Sequence, residues 1–323
     1  MQARQRSAAI ILLSFFALLG VQIASAADAP KFQLPDNVEV RNVTIWSEGS
    51  RLDGDLYLPK GLKPDEKRPV IVMSHGWGGT KLKLQREASR FSAAGYIALT
   101  FTYRGWGNSE GKMTLLDGMP KLNKNNEATV KVHFIREVLD PIDWIQDFRS
   151  AVDFISGEPH VDPQRIGVWG TSYGGGIVFW SAANDDRISV VVSQVGGLFT
   201  PDRHLEPLAK QRATEIAREG VDKLYQDKIE NLKGWPNHAK WLQYDPVSMA
   251  RMIKVPTLLM DAENEQLFDR REAGERAYDI IRADGTTPVR YEVIPKISHW
   301  GIYSDGFEQA NGLAIEWFDK YLK

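Results

Sequence analysis

Ile166-Gly167-Val168-Trp169-Gly170-Thr171-Ser172-Tyr173-Gly174-Gly175-Gly176 is the stretch on which the fold turns. Its first four residues are mostly apolar on both faces, as a strand buried under helices must be. A serine framed by glycines follows, and a helix-compatible run then extends from Gly175 to Ala183. Gly-x-Ser-x-Gly between a strand and a helix puts the serine on a sharp turn with its hydroxyl exposed, and a side chain at either glycine would crowd the bend. The five-residue pattern alone is weak; the strand before it and the helix after it give it weight. The plainer alternative makes Ser172 only an N-cap in a glycine-rich turn.

Outward from that turn, short β-branched runs alternate with amphipathic stretches. Val70 to Met73, Ile97 to Phe101, Val190 to Val192, Thr257 to Met260 and Val289 to Ile294 join Ile166 to Trp169 as buried, mainly parallel strands. Asn42 to Trp46 and Leu52 to Leu58 alternate apolar and polar residues around Glu48-Gly49-Ser50, the mark of an antiparallel hairpin at a sheet edge. Helices are predicted over Leu82 to Ala94, Trp144 to Ile155, Gly175 to Ala183, Arg271 to Ala283 and Gly306 to Leu322. The pattern predicts an α/β domain with a mainly parallel eight-stranded sheet flanked by helices. Two stretches exceed simple alternation: a polar connection from about Glu110 to Pro141, and a helix-rich insertion over about 198–250, with helical spacing from Pro207 to Leu232, that reads as a cap.

Composition narrows the function classes. With 40 basic against 42 acidic residues and a net charge of -2, the chain has no electrostatic footprint for nucleic acid. Zero cysteines exclude a disulfide framework, a thiol nucleophile and thiolate zinc sites. Residues 1–26 run basic (Arg4, Arg6), apolar (Ala8 to Ile23) and small (Ala24-Ser25-Ala26), the layout of a signal peptide cleaved near Ala26. The expectation is an exported, periplasmic or secreted protein of residues 27–323 with no stable span after processing; an uncleaved N-terminal anchor is the competing reading.

A serine hydroxyl needs a base, and the base an orienting carboxylate. Among six histidines, only His299 follows the last predicted strand, in a loop where such sheets gather reactive groups. The acid stays open among Asp261, Glu263 and Glu265 after the strand Thr257 to Met260, whereas Asp269, before Arg270 and Arg271, suits a helix start. Two N–H donors must face a developing oxyanion. Tyr173, next to the serine, supplies one; the loop Ser74-His75-Gly76-Trp77-Gly78-Gly79 supplies the other, with Trp77 preferred over Gly76 and Gly78, and His75 shaping the loop. No metal-ligand cluster is visible, and neither cofactor nor metal is expected. Trp77, Trp106 and Trp300 adjoin these loops and are expected to line a pocket, whereas Trp180, inside the helix after the serine, is expected to pack in the core.

His75-Gly76-Trp77-Gly78-Gly79, Tyr103-Arg104-Gly105-Trp106-Gly107-Asn108-Ser109, Gly170-Thr171-Ser172-Tyr173-Gly174 and Ser298-His299 stand in the order that resembles the α/β-hydrolase superfamily over nearly all of residues 27–323. Asp162-Pro163-Gln164-Arg165-Ile166-Gly167-Val168-Trp169-Gly170 looks most like the dienelactone-hydrolase-like and Xaa-Pro dipeptidyl-peptidase-like groups. Relatives of this kind often read Val-Pro-x-Leu, a short strand, then His-Gly-x-x-Asp. Laid on Val255-Pro256-Thr257-Leu258, that resemblance implies Glu265 as the acid, with Asp261-Ala262 where His-Gly is usual and glutamate in place of aspartate. It implies a serine hydrolase but says less about substrate, because esterases, peptidases, thioesterases and lactonases share this machinery; the first expectation is a carboxylic-ester hydrolase working through an acyl-enzyme. A peptidase on short peptides and a non-catalytic binding protein on the same fold are the alternatives, and oligomeric state is not legible.

Overall fold

A computed structural model describes residues 32–323, and the predicted signal peptide therefore lies outside the described residues. The chain enters the fold through a hairpin of β1 (Val38–Ser47) and β2 (Ser50–Pro59), paired antiparallel with Ser47 opposite Ser50. The two connecting residues, Glu48 and Gly49, have φ of 46° and 83°. Two successive positive φ values match the right-handed twist of the flanking strands, which explains why a glycine stands there.

Six further strands follow: β3 (Arg68–Ser74), β4 (Ile97–Phe101), β5 (Val161–Thr171), β6 (Ile188–Gln194), β7 (Thr257–Asn264) and β8 (Val289–Ser298). The sheet order is β1-β2-β4-β3-β5-β6-β7-β8. β2 meets β4 antiparallel, and every later neighbour is parallel. Val70, Ile71, Val72 and Met73 are fully buried, alternate residues packing on opposite faces. One face carries α1 (Gln85–Ala93), with Phe91 edge-on to Trp169 and to Phe318. The other carries α2 (Pro141–Ser156), where Trp144 stacks on Tyr103 with centroids 4.0 Å apart. Each such aromatic or aliphatic side chain taken out of water stabilises the fold by about 1.5–3 kcal/mol.

The elements depart from the sequence reading at their ends. α2 begins at Pro141 rather than Trp144 because the Asp140 carboxylate accepts from the N–H groups of Ile142 and Asp143, and Pro141 needs no partner in the first turn. The insertion after β6 is not one helix over Pro207 to Leu232. α4 runs from Glu206 to Glu219 and stops at Gly220, whose φ of 95° a helix cannot hold; a 3-10 turn (Val221–Tyr225) follows. α3 (Tyr173–Asn184) starts directly after Ser172. Beyond β7, a 3-10 turn (Arg270–Glu272) precedes α5 (Gly274–Asp284), and α6 (Phe307–Tyr321) closes the order. The polar connection contains an antiparallel pair, Met113–Leu115 with Val132–Phe134. Farther along it, Val138 and Leu139 pair in parallel with Trp235 and Pro236 of the insertion. Among the described residues, no helix is long and apolar enough to cross a membrane.

Candidate active site

Ser172 stands between β5 and α3 with φ 53° and ψ −129°, a conformation that costs a non-glycine residue roughly 1–3 kcal/mol and persists only where its surroundings enforce it. Here they do. Its N–H donates to Gln194 O at 2.9 Å, and its carbonyl accepts from Gly175 N at 2.8 Å and Gly197 N at 2.9 Å. A Cβ on Gly170 would lie 2.2 Å from Gly174 O, and one on Gly174 would lie 2.5 Å from the carbonyl oxygens of Ser74 and His75. The glycines are thus required by backbone meeting backbone, not by the turn alone.

The structure brings Ser172, His299 and Glu265 into one line. His299 Nε2 is 3.0 Å from Ser172 Oγ, and His299 Nδ1 is 2.7 Å from Glu265 Oε2. The second Glu265 oxygen accepts from Leu267 N at 2.9 Å. Both side chains are buried, 0% and 2% exposed, so the pair is shielded from the screening that weakens surface ion pairs. The meeting depends on β7 and β8: Ala262 pairs with Ile294 but Asn264 with Ser298, so β8 carries a bulge, with Lys296 at φ 61°. The extra residues bring position 299 alongside position 265, the re-aiming that bulges perform beside reactive sites.

The other carboxylates go elsewhere. Asp261 is buried and accepts from the Tyr291 hydroxyl at 3.0 Å; burial pushes its carboxyl up to about 7, the Tyr291 hydrogen bond opposing and the Glu265 charge adding to the shift. Glu263 accepts from Lys296 N at 2.7 Å. Asp269 caps the turn at Arg271 N, and hydrogen bonds from Arg271 hold its carboxyl down at about 2.

The loop after β3 lies against the serine: a Cβ on Gly76 would be 2.8 Å from Ser172 Cβ. His75 is fully buried between Tyr103 and Trp144, and burial lowers its pKa to about 4. It is therefore a neutral imidazole at ordinary pH, its Nδ1–H donating to Gly76 O at 2.8 Å. Tyr173 opens α3, where first-turn N–H groups lack intrahelical acceptors. The Trp77 indole donates to Lys233 O of the insertion at 2.8 Å, tying this loop to the cap. Its ring stands 5.8 Å from that of Tyr173 and 6.0 Å from that of Trp241.

One tryptophan differs from its expected place. Trp106 is 1% exposed, set edge-on to Trp144 with its indole on Val138 O, and so belongs to the core rather than a pocket wall. Phe199 and Trp241, stacked on each other, supply aromatic surface around Tyr173 instead. Trp300 is half exposed beside His299, and Trp180 packs on Tyr244.

Sequence reasoning missed two contributors. Gln266 Oε1 accepts from His299 N at 3.0 Å, and the Tyr303 hydroxyl lies 2.8 Å from Thr171 Oγ1. Gln266 adjoins the acid and was within reach of the same reading; Tyr303 meets Thr171 only because residues 300–303 coil into a 3-10 turn.

Residues 48–206 match the family model X-Pro dipeptidyl-peptidase (S15 family), and residues 143–323, which include Ser172, Glu265 and His299, match that of the prolyl oligopeptidase family. The chain is 29% identical over 290 residues to an uncharacterized 31.7 kDa protein from the traX-finO intergenic region of Escherichia coli, covering 79% of this chain and 92% of that one. A crystal structure of a hypothetical protein from Pseudomonas aeruginosa superposes with a TM-score of 0.61 at 25% identity, over 90% of this chain and 96% of the other. Dienelactone hydrolase from Anabaena variabilis superposes with a TM-score of 0.55 at 19% identity, over 89% and 100% respectively, a likeness of fold.

Proposed function

Because the chain belongs to the prolyl oligopeptidase family, within the α/β-hydrolase superfamily, we propose that this serine hydrolase cleaves carboxylic esters at Ser172. The observation that carries the reading is the unbroken hydrogen-bonded line from Glu265 through His299 to Ser172. In this mechanism His299 Nε2 takes the hydroxyl proton as Ser172 Oγ attacks the ester carbonyl, while Glu265 fixes the ring and stabilises its positive charge. The N–H groups of Tyr173 and Trp77 hold the oxyanion. His299 returns the proton to the departing alcohol, and water admitted to the same base then releases the acid from the acyl-enzyme.

A peptidase acting on short peptides would need a free carboxylate for the substrate's amine. Of the three carboxylates after β7, Asp261 is buried on Tyr291 and Glu265 holds His299, which leaves only the exposed Glu263, with one oxygen on Lys296 N, for such a subsite. That favours the ester. The proposal includes export through residues 1–26, checked by N-terminal sequencing of the processed protein: a start near Ala27 supports it and Met1 removes it.

The test combines fluorophosphonate labelling, read by peptide mapping, with a panel of short-chain aryl esters and aminoacyl-proline amides. One adduct on Ser172, lost in His299→Ala, and turnover of esters alone are expected. Ser172→Ala should reduce kcat by about 10⁶-fold with folding intact. Unchanged activity in that variant would remove the site assignment, and turnover of amides alone would replace the ester by the peptide.

A further inference from the structure

The connection between β4 and α2 projects an ordered arm whose apolar side chains have no place in the core. Met113–Leu115 and Val132–Phe134 pair antiparallel, with Met113 opposite Phe134 and Leu115 opposite Val132. Alternation puts these four on one face of the two-stranded ribbon and Thr114 and His133 on the other. His133 stands 3.9 Å from the Asp222 carboxylate of the cap insertion, so the apolar face is the one turned away from that contact. The loop beyond the ribbon is held by its own hydrogen bonds: Leu116 N to Lys131 O at 3.0 Å, and Asn123 Oδ1 accepting from Asn125 N and Glu127 N. Yet Leu116 is 60% and Met119 76% exposed, and Met113, Leu122, Val130 and Phe134 are exposed as well. An ordered segment that spends six large apolar side chains on solvent marks an interaction surface.

Charge selects the occupant. Residues 112–134 carry four lysines against Asp117 and Glu127, on a chain whose net charge is -2; Lys112 pairs with Asp143 of α2 at 2.7 Å, which leaves Lys121, Lys124 and Lys131 as the basic groups of the arm. A two-fold dimer through this arm would set two basic patches face to face, because the same patch serves both partners. An anionic lipid surface neutralises the lysines and accepts the apolar side chains at once. We propose that this arm docks the protein onto the surface of an anionic bilayer. It springs from the carboxyl end of β4, and β4 and β5 both run parallel to β3, so the arm leaves the same edge of the sheet as Ser172. A cavity of about 200 Å³, lined by Lys112, Ile135, Trp144, Ile216, Leu224 and Lys240, lies at its foot. Docking therefore presents the reactive edge to molecules held in the interface. The inference stands whether the bond cleaved is an ester or an amide.

The experiment is co-sedimentation of the full chain with phosphatidylglycerol vesicles and with phosphatidylcholine vesicles, beside light scattering of the lipid-free protein. The variants are the triple Leu116→Ser, Met119→Ser, Leu122→Ser and the double Lys121→Glu, Lys124→Glu, all at exposed positions. Residues 1–31 are common to parent and variants, so the difference between parent and variant on the anionic vesicles, and not the difference between the two lipids, reports on the arm. The expected result is at least tenfold tighter partitioning onto the anionic vesicles, weakened by salt, cut tenfold or more by either variant, with hydrolysis of a soluble aryl ester unchanged. Partitioning that the variants leave untouched would overturn the proposal. A lipid-free dimer that the triple variant dissociates, with no vesicle binding, would reassign the arm to self-association.

Discussion

At His299 both ring nitrogens and the backbone N–H are engaged, by Ser172, Glu265 and Gln266. The imidazole is held from three directions, and the longer glutamate side chain needs no slack to reach it. Glu265→Gln keeps the shape but favours the wrong tautomer, so kcat should fall by about 10³- to 10⁴-fold in single-turnover assays. Glu265→Asp withdraws the carboxylate by one methylene and should cost about 10²-fold, as a misplacement near 1 Å does. A second clamp joins the two reactive turns: Tyr303 lies on the turn after the base, and Thr171 precedes the nucleophile. Burial raises the Tyr303 pKa, so the hydroxyl stays protonated and able to donate. Tyr303→Phe should lower kcat about tenfold with KM unchanged. Thr171→Val removes this bond and also the one from Gln194 Nε2 at 3.3 Å, so it should cost at least as much, and the double variant should lose no more than Thr171→Val alone. Losses that add in full would show the two residues acting separately.

At the scale of elements, what the sequence disclosed follows from how each element is made. Strands β3 to β7 were legible because their central residues are buried on both faces, and β1 and β2 because Glu48-Gly49 admits few other turns; β8, expected to be buried, is an edge strand in which Ile294 and Ile297 alone are buried, because no strand covers its outer side. The start of α2 was written in Asp140-Pro141 but concealed by the apolar run opening at Trp144. The helical spacing of the insertion over Pro207 to Leu232 is interrupted at Gly220, whose positive φ ends α4 although the spacing continues beyond it. Glu265 could not be separated from Asp261 and Glu263 by residue type, and only resemblance pointed to it. The separation depends on the bulge around Lys296, a feature of register between strands and not of either strand alone. Asp140 shows how one residue serves two elements: it caps α2 and also accepts from Asn237 Nδ2 at 2.8 Å and Lys240 Nζ at 3.1 Å, both in the cap. Asp140→Ala should lower unfolding free energy by about 1–2 kcal/mol in urea titrations, and hydrogen exchange should rise in residues 235–241 as well as at the start of α2. Protection lost only in α2 would make the cap independent of it.

Over the whole molecule, the buried Asp261 sets a pH dependence. Its carboxyl titrates near 4 in the unfolded chain but is pushed up to about 7 in the fold, mainly by burial. Between those values the folded state binds more protons than the unfolded state, so this group's contribution to stability declines as pH rises from about 4 to about 7 and stays unfavourable above. Asp261→Asn keeps an acceptor for Tyr291 without the charge. Its Tm should exceed that of the parent at pH 8 and converge with it near pH 4; an equal gap at both would show that ionisation is not the cause. The sheet order has a consequence in time as well as in space. The nucleophile arrives with β5, the acid after β7, and the base only after β8, the outermost strand and the last synthesised. A growing chain that carries Ser172 but has yet to reach position 299 has no imidazole placed against that hydroxyl, so the proposed reaction waits until β8 is made.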